Sequence, residues 1–505
     1  MKSKKAAAAL LLVALLAVLV GCGSSSESSS SDDLKLTGDA WPNVDQASTR
    51  AVKGQINGQN VSGLEEAWSL PSQAQSTYGA YSASPVISNG VIYMQDLESS
   101  VQAIALESGD VQWTWKSESA TQGPNGVVVA DGKVFGATAS SAFALDQKTG
   151  KELWSVPVAD APLAIDMAPG YADGLVYVST VPTNVNSEYP PGGAGTLYAL
   201  DAETGKEAWK FATVPNDLWG DKKTNSGGGV WYPPSFDGKG FIYFGTGDPA
   251  PHPGTANEPW GSSRPGPNLY ANSIVKLNAK TGKLAWHYQQ TPHDVYDWDF
   301  QNSPILAQAG GREVAIGSGK SGIVTAVDAQ TGKPVWSTPV GKHNGHDDDG
   351  LLAMRGQSSK IKTGEVLPGN LGGVIAPPAA DGSTVFVPIV NAGMMVTPSQ
   401  QLSQTGGFEG GMAALDVKTG KVLWEKEYPQ PAFGSPVVVN DVVFFATFDG
   451  TVRGLDVDSG GEVWTASLPA GSNSAVAASG DTLVVPAGIA SAEGQQPSLV
   501  AFRLK

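Results

Sequence analysis

The chain has 505 residues, with 32 Lys and Arg against 48 Asp and Glu, a formal net charge of −16, and a single Cys. This acidity argues against a nucleic-acid partner, because phosphate binding needs a basic face. One Cys excludes an internal disulfide framework, a multi-Cys zinc site and a Cys-ligated iron–sulfur cluster, and no CxxCH is present to attach a c-type haem. The 62 Gly, 14 Trp and only 16% charged residues fit a large folded β-protein better than a disordered or helical one.

In chain order, Lys2, Lys4 and Lys5 precede an apolar run from Ala6 to Val20. The run is short for a membrane span, which needs ~20 residues. It reads instead as a secretory signal over residues 1–21. Leu19-Val20-Gly21-Cys22 resembles the lipobox of bacterial lipoproteins. That resemblance implies lipidation at Cys22 and an extracytoplasmic protein held at a membrane; the alternative is an uncleaved signal anchor. The Ser-rich run from Ser24 to Asp33 cannot bury apolar surface, so residues 22–38 form a tether.

From residue 39 onward one phrase recurs. It reads ALDQKTGKELW at Ala144–Trp154, ALDAETGKEAW at Ala199–Trp209, KLNAKTGKLAW at Lys276–Trp286, AVDAQTGKPVW at Ala326–Trp336 and ALDVKTGKVLW at Ala414–Trp424. Looser copies end at Trp113 and Trp464, and a related segment ends at Trp68. Alternating apolar residues predict a strand. Asp followed by Thr-Gly-Lys predicts a tight turn in which Gly supplies positive φ, and a second strand carries the Trp. Another strand pair lies upstream of each copy, as in SPVISNGVIYMQD. Four short strands per repeat are the pattern of a propeller blade. The repeat Trp are expected to pack between neighbouring blades. Eight repeat Trp predict an all-β, eight-bladed β-propeller over residues 39–505. The final SLVAFRLK lacks a Trp of its own and is expected to pair with the segment ending at Trp68, so that both termini close one blade and remove free edges.

The repeated phrase resembles the PQQ repeat, and residues 39–505 are similar to the quinoprotein alcohol dehydrogenase superfamily. Two segments carry the resemblance furthest: TPHDVYDWDF at Thr291–Phe300 and FGTGDPAPH at Phe244–His252. The resemblance implies hydride transfer from an alcohol or sugar hydroxyl to PQQ, with a metal as Lewis acid and a carboxylate as general base. It implies Asp297 as base and metal ligand, and Asp248 as a second ligand. Lys320 corresponds to the cation beside the quinone, Trp231 to the aromatic floor and Thr138 to a cofactor-contacting Thr. Glu188 is the candidate for a metal-ligating Glu, across a two-residue gap. Asp299 is a further candidate ligand; in some relatives an Asp there accompanies lanthanide use. Oxygen ligands suit calcium. Electrons would leave to an external acceptor. His293 is expected to brace its loop, and His343, His346 and Asp347 to lie in a solvated loop rather than bind a metal.

The sequence also departs from the family pattern. The adjacent Cys pair that often covers the cofactor is absent. Ser82 stands where a Glu is expected, Asn125 where an Arg is expected, and Ile375 where an Asn is expected. These departures favour a second reading, a propeller without the cofactor that serves as an envelope scaffold or binding lipoprotein.

Overall fold

The computed structural model describes residues 48–183 and 189–505. Cys22, the tether and Glu188 lie outside the described residues. The rest is almost wholly β, with one short α-helix, Asp349–Met354, among the described residues. The strands form eight sheets of four or five strands, and a two-strand pairing joins Ser226–Gly227 to Pro249–Ala250. The sheets are antiparallel except where Ala51–Val52 adds in parallel to Val437–Val439. The architecture is propeller-like.

The hairpin of the repeat shows why the phrase is conserved within the chain. Strands Ser141–Asp146 and Glu152–Pro157 are joined by a turn in which the Asp146 carboxylate accepts the N–H groups of Lys148 and Thr149 and the Thr149 hydroxyl. Asp201 with Thr204, Asp328 with Thr331 and Asp456 with Ser459 repeat this. The turn glycine has two duties. Gly150 adopts φ 69°, and a Cβ there would lie 2.5 Å from the ring of Trp113, the tryptophan of the preceding repeat.

That contact joins sheet to sheet. The Trp113 indole donates to the Gln147 carbonyl at 3.1 Å, Trp154 to Ala202 at 3.1 Å, Trp209 to Ala279 at 2.9 Å, Trp286 to Ala329 at 3.1 Å and Trp336 to Val417 at 2.9 Å. Each tryptophan lies on the turn of the next repeat, so one side chain supplies apolar burial and also satisfies a turn carbonyl. Between sheets, Val, Ile and Phe from facing strands fill the wedge, as in the cluster of Phe135, Ala144, Val178 and Leu200. Leu64–Pro71, early in the chain, pairs antiparallel with Ser498–Leu504 at its end, with Trp68 opposite Ala501. Trp464 packs edge-on against Phe502 with centroids 5.4 Å apart.

The segments that bear the chemistry are loops laced together by main-chain hydrogen bonds. Gly228 donates to Asp248, Phe300 to Thr246, Lys320 to Asp299 and Val374 to Gly319, at 2.9, 3.1, 2.9 and 3.0 Å. Gly319 permits this approach, because a Cβ there would run into the Asp299 and Phe300 backbone.

Candidate active site

A cavity of about 1450 Å³ is lined by Trp231, His252, Asp297, Asp299 and Lys320, among others. At its wall the Lys320 ammonium lies 2.7 Å from Asp297 Oδ1 and 2.6 Å from Asp299 Oδ2. Asp299 Oδ1 accepts the Asp248 N–H at 2.7 Å. On the far side, His252 Nδ1 lies 2.9 Å from Asp248 Oδ2, and its Nε2 lies 3.8 Å from Asp297 Oδ2. The 2.9 Å approach is close enough for an ion pair but misaligned for a hydrogen bond. Both atoms are therefore buried without a hydrogen-bond partner.

The loop that presents Asp297 is held from behind. Buried Asp294 accepts the N–H of Tyr296 at 2.8 Å and of Trp298 at 2.6 Å. Asn272 Nδ2 donates to Asp294 at 3.2 Å and to the Trp298 carbonyl at 2.6 Å. Arg264, fully buried, donates to the carbonyls of Asp294 and Pro251 and to the Asn268 side chain. Within this frame Asp297 takes φ 59°. A non-glycine residue in the left-handed region costs roughly 1–3 kcal/mol, and such residues concentrate at functional sites.

The electrostatics follow from burial. Burial raises Asp297 above the usual carboxylate range, and Lys320 opposes the rise. Burial likewise raises Asp299, again against Lys320. Burial works against a charged Lys320, but Asp297, Asp299 and Asp248 outweigh it and hold the ammonium protonated, above its ordinary value. For His252, burial opposes protonation while Asp297 and Asp248 favour it, and the imidazole is pushed up to about 9.

The expected residues do not all converge. Asp248, Asp297, Asp299, Lys320 and Trp231 share this site; Asp248 sits behind His252 rather than on the cavity wall. Asp299 is engaged on one oxygen by Lys320 and on the other by the Asp248 N–H, which braces the cluster, and its oxygens are not among the donor atoms that gather within 4.8 Å. Thr138 stands apart. It is not among the residues lining the cavity, and its hydroxyl accepts the N–H groups of Ser140 and Ser141 in a turn. His293 lies 3.0 Å from the carbonyls of both Gly266 and Trp260, as a loop brace. His343 pairs with Asp347 and His346 with Asp349. Among the described residues, the His, Asp and Glu side chains whose donor atoms gather within 4.8 Å are Asp248, His252 and Asp297.

Two residues enter that sequence reasoning overlooked. His252 belongs to the FGTGDPAPH segment and lies one i,i+4 step from Asp248. Arg50 lines the cavity from the first strand region, donating to Ser84 Oγ at 3.2 Å and to the Pro436 carbonyl at 3.3 Å. The cavity thus holds an Arg although position 125 is Asn. The departures also acquire a place. Ser82, Asn125 and Ile375 all line the cavity, and the Ile375 carbonyl accepts Gln301 Nε2 at 2.8 Å. Ser82 Oγ, Asn125 Oδ1 and Gln301 Oε1 are buried without a partner. Such orphaned groups are costly unless a ligand or water satisfies them. Arg50, the Ser82 hydroxyl and the Trp231 ring fit a flat molecule that carries carboxylates, whereas Asn125 Oδ1 and Gln301 Oε1 can only accept and call for an N–H or O–H on the ligand or on water. Asp248 Oδ2 and His252 Nδ1, in ion-pair contact beside Asp297 but without a hydrogen bond, could instead be joined by a bound cation.

Comparison with known proteins places this site in a family. Residues 162–347 match the family described as glucose/ethanol/alcohol dehydrogenase, beta-propeller domain. Residues 49–162, 98–219 and 372–505 match the PQQ-repeat family described as outer membrane protein assembly factor BamB. The chain belongs to the PQQ-repeat β-propellers of the quinoprotein alcohol dehydrogenase-like superfamily. Among its relatives, it is 29% identical to a quinohemoprotein alcohol dehydrogenase of Comamonas testosteroni, over 85% of this chain and 69% of that one. It is 29% identical to quinohemoprotein alcohol dehydrogenase ADH IIB of Pseudomonas putida, over 81% of this chain and 66% of that one. The chain spans about two thirds of the length of these relatives. The solved Comamonas testosteroni enzyme superposes with a TM-score of 0.78 at 25% identity, covering 92% of this chain and 80% of that one. BamB from Moraxella catarrhalis superposes with a TM-score of 0.55 at 15% identity, covering 87% and 99%, a likeness of fold alone.

Proposed function

We propose that this protein is a PQQ-dependent dehydrogenase that oxidises an alcohol or sugar hydroxyl. The observation that carries the reading is the buried Asp297–Lys320–Asp299 cluster beside Trp231, with Asp297 in a strained backbone conformation at the wall of a large cavity. When bound, PQQ supplies a carbonyl carbon that accepts hydride, and a metal ion supplies Lewis acidity.

The chain's own residues would do the rest. Trp231 would form the floor for the ring system. Arg50 would hold cofactor carboxylates through charge-assisted hydrogen bonds, with the Ser82 hydroxyl donating nearby, while Asn125, whose Nδ2 donates to the Ile165 carbonyl, would accept a ligand N–H on Oδ1. Lys320 holds Asp297 Oδ1, which leaves Oδ2 to face the substrate hydroxyl. A carboxylate oxygen has two acceptor positions, so Oδ2 can take the substrate proton and still face a cation. Burial raises the proton affinity of Asp297, which suits a general base better than an ordinary surface carboxylate. Asp248, with Glu188 as a further candidate, would hold the metal. Tyr189 packs on His252 with ring centroids 5.9 Å apart. The eight sheets would be eight blades around one axis, one of them shared by the two termini. Cys22 would anchor the protein by lipid to the extracytoplasmic face of a membrane, and electrons would pass to an external acceptor.

The test is to mix purified protein with PQQ and a divalent or lanthanide ion. A bound-quinone absorption spectrum and dye reduction with simple alcohols are expected. Asp297→Ala should keep the bound quinone and lose turnover; turnover retained by this variant would remove Asp297 from the role of base. A second reading, a cofactor-free envelope scaffold or binding lipoprotein, draws support from the exchanges at Ser82, Asn125 and Ile375. It would prevail if no quinone binds under any ion.

A further inference from the structure

We propose that His252 is a metal ligand, and that the site formed by Asp248, His252 and Asp297 takes a divalent d-block ion such as manganese, cobalt or zinc in preference to calcium or a lanthanide. The inference deepens the quinoprotein reading by assigning its metal, and it stands on the donor set.

Three side chains converge, two from one loop and one from another, with donor atoms within 4.8 Å of one another. Asp248 and His252 stand an i,i+4 step apart within GDPAPH, and their facing atoms are 2.9 Å apart. Both of those atoms are buried and lack a hydrogen-bond partner. The side chains are 5% and 10% exposed, so solvent does not satisfy them. A cation between them would satisfy both and also face Asp297 Oδ2, since Lys320 engages only Oδ1. The neighbouring carboxylate, Asp299, turns its oxygens to Lys320 and the Asp248 N–H and is not part of this group of converging donor atoms.

The imidazole decides the class of ion. Calcium and lanthanides are hard ions that favour all-oxygen shells of six or more donors. Imidazole nitrogen with carboxylate oxygen is a set that manganese, iron, cobalt, nickel and zinc accept readily. A buried His aimed into a hard-ion shell would displace an oxygen donor and return little.

The experiment uses the full chain, stripped with a chelator and dialysed against calcium, lanthanum, manganese, cobalt or zinc. Bound metal is counted per chain, and cobalt is followed by its visible d–d bands. One d-block ion per chain is expected, with cobalt bands showing nitrogen in the shell. Zinc binds most nitrogen–oxygen sites more tightly than manganese or calcium, so preference alone decides little and the variants carry the test. His252→Ala should weaken cobalt and manganese binding by at least about tenfold, since loss even of a residue supporting a ligand costs roughly 10–100-fold. Calcium binding should be unchanged or improved. His252→Gln, which restores an oxygen donor, should shift preference toward calcium and guards against a folding defect in the Ala variant. Equal d-block affinity in wild type and both variants overturns the proposal, as does absence of any d-block ion from the wild type. Quinone titration in parallel separates the two readings. Quinone bound with calcium and indifferent to His252 would sink the metal assignment alone. A His252-dependent cobalt site with no quinone binding would sink the dehydrogenase reading alone.

Discussion

At the scale of the residue, the site rests on a few side chains whose surroundings hold them in unusual states. Asp297 is strained, buried and paired with Lys320; Asp294, Asn272 and Arg264 impose that geometry from behind. Asp297 and Asp248 were legible because each lies in a short segment that carries the family resemblance, and Lys320 and Trp231 followed from the same resemblance. Arg50 was not. It is a lone Arg in the stretch STRAVK, and no local signal links it to Asn125, far along the chain. His252 could have been found, since Asp-Pro-Ala-Pro-His sets two ligand types one step apart. Arg50 carries a prediction. A hydrogen bond to a charged group contributes about 1.5–3 kcal/mol, which at 1.4 kcal/mol per decade corresponds to roughly ten- to a hundredfold in affinity. Arg50→Ala should raise the Kd for PQQ by that factor in a spectroscopic titration, whereas Thr138→Val should leave it unchanged. Equal binding by wild type and Arg50→Ala would remove Arg50 from the cofactor site.

At the scale of the element, the hairpin is the unit that repeats, and its two conserved features are one interaction seen from two sides. The glycine of Thr-Gly-Lys is required both for positive φ and because the neighbouring Trp lies on its Cα. Gly332 and Gly311 separate the two effects. Both have positive φ, 71° and 85°. A Cβ on Gly332 would lie 2.7 Å from the Trp286 ring, whereas a Cβ on Gly311 meets nothing within 4 Å. Gly311→Ala should cost about 1–2 kcal/mol for the left-handed backbone alone. Gly332→Ala adds overpacking of roughly 1–3 kcal/mol, so its melting temperature should fall clearly further. Equal shifts in the two variants would show that the Trp contact is soft. The hairpin could be read in the sequence because Asp, Gly and Trp keep fixed spacing, and the Trp were expected to pack between neighbours, but the contact of each Trp with the next turn's Gly was not. The sequence did not reveal which carbonyl each indole seeks, since that partner belongs to the following repeat.

At the scale of the whole molecule, sheets follow one another along the chain, and the pairing of Leu64–Pro71 with Ser498–Leu504 spans nearly its full length. The last strand buries Leu499, Val500 and Phe502. At roughly 1.5–3 kcal/mol for each such side chain, its burial is comparable with the ~5–15 kcal/mol that separates a native protein from its unfolded state. Removing residues 498–505 should therefore abolish the cooperative thermal transition or lower it steeply, and the bared strand should promote association. A truncated chain that melts like the intact one would show that the pairing is dispensable.

The amino-acid sequence by itself determined the hairpins and the tryptophans that join them, because alternation and turn chemistry act over a few neighbouring residues. It also marked the segments around Asp248, Asp297 and Lys320 as chemically distinct. The tertiary structure decided which of the marked residues meet. Main-chain bonds between loops far apart in sequence drew Asp248, Asp299 and Lys320 together and left Thr138 in a turn. They also turned Asp299 inward as a brace, brought Arg50 to the cavity and set His252 against two carboxylates. The physical reason is that a strand or turn is specified by its nearest neighbours. A buried cluster of charges exists only where several loops converge, and its members are tolerated there only because they neutralise one another.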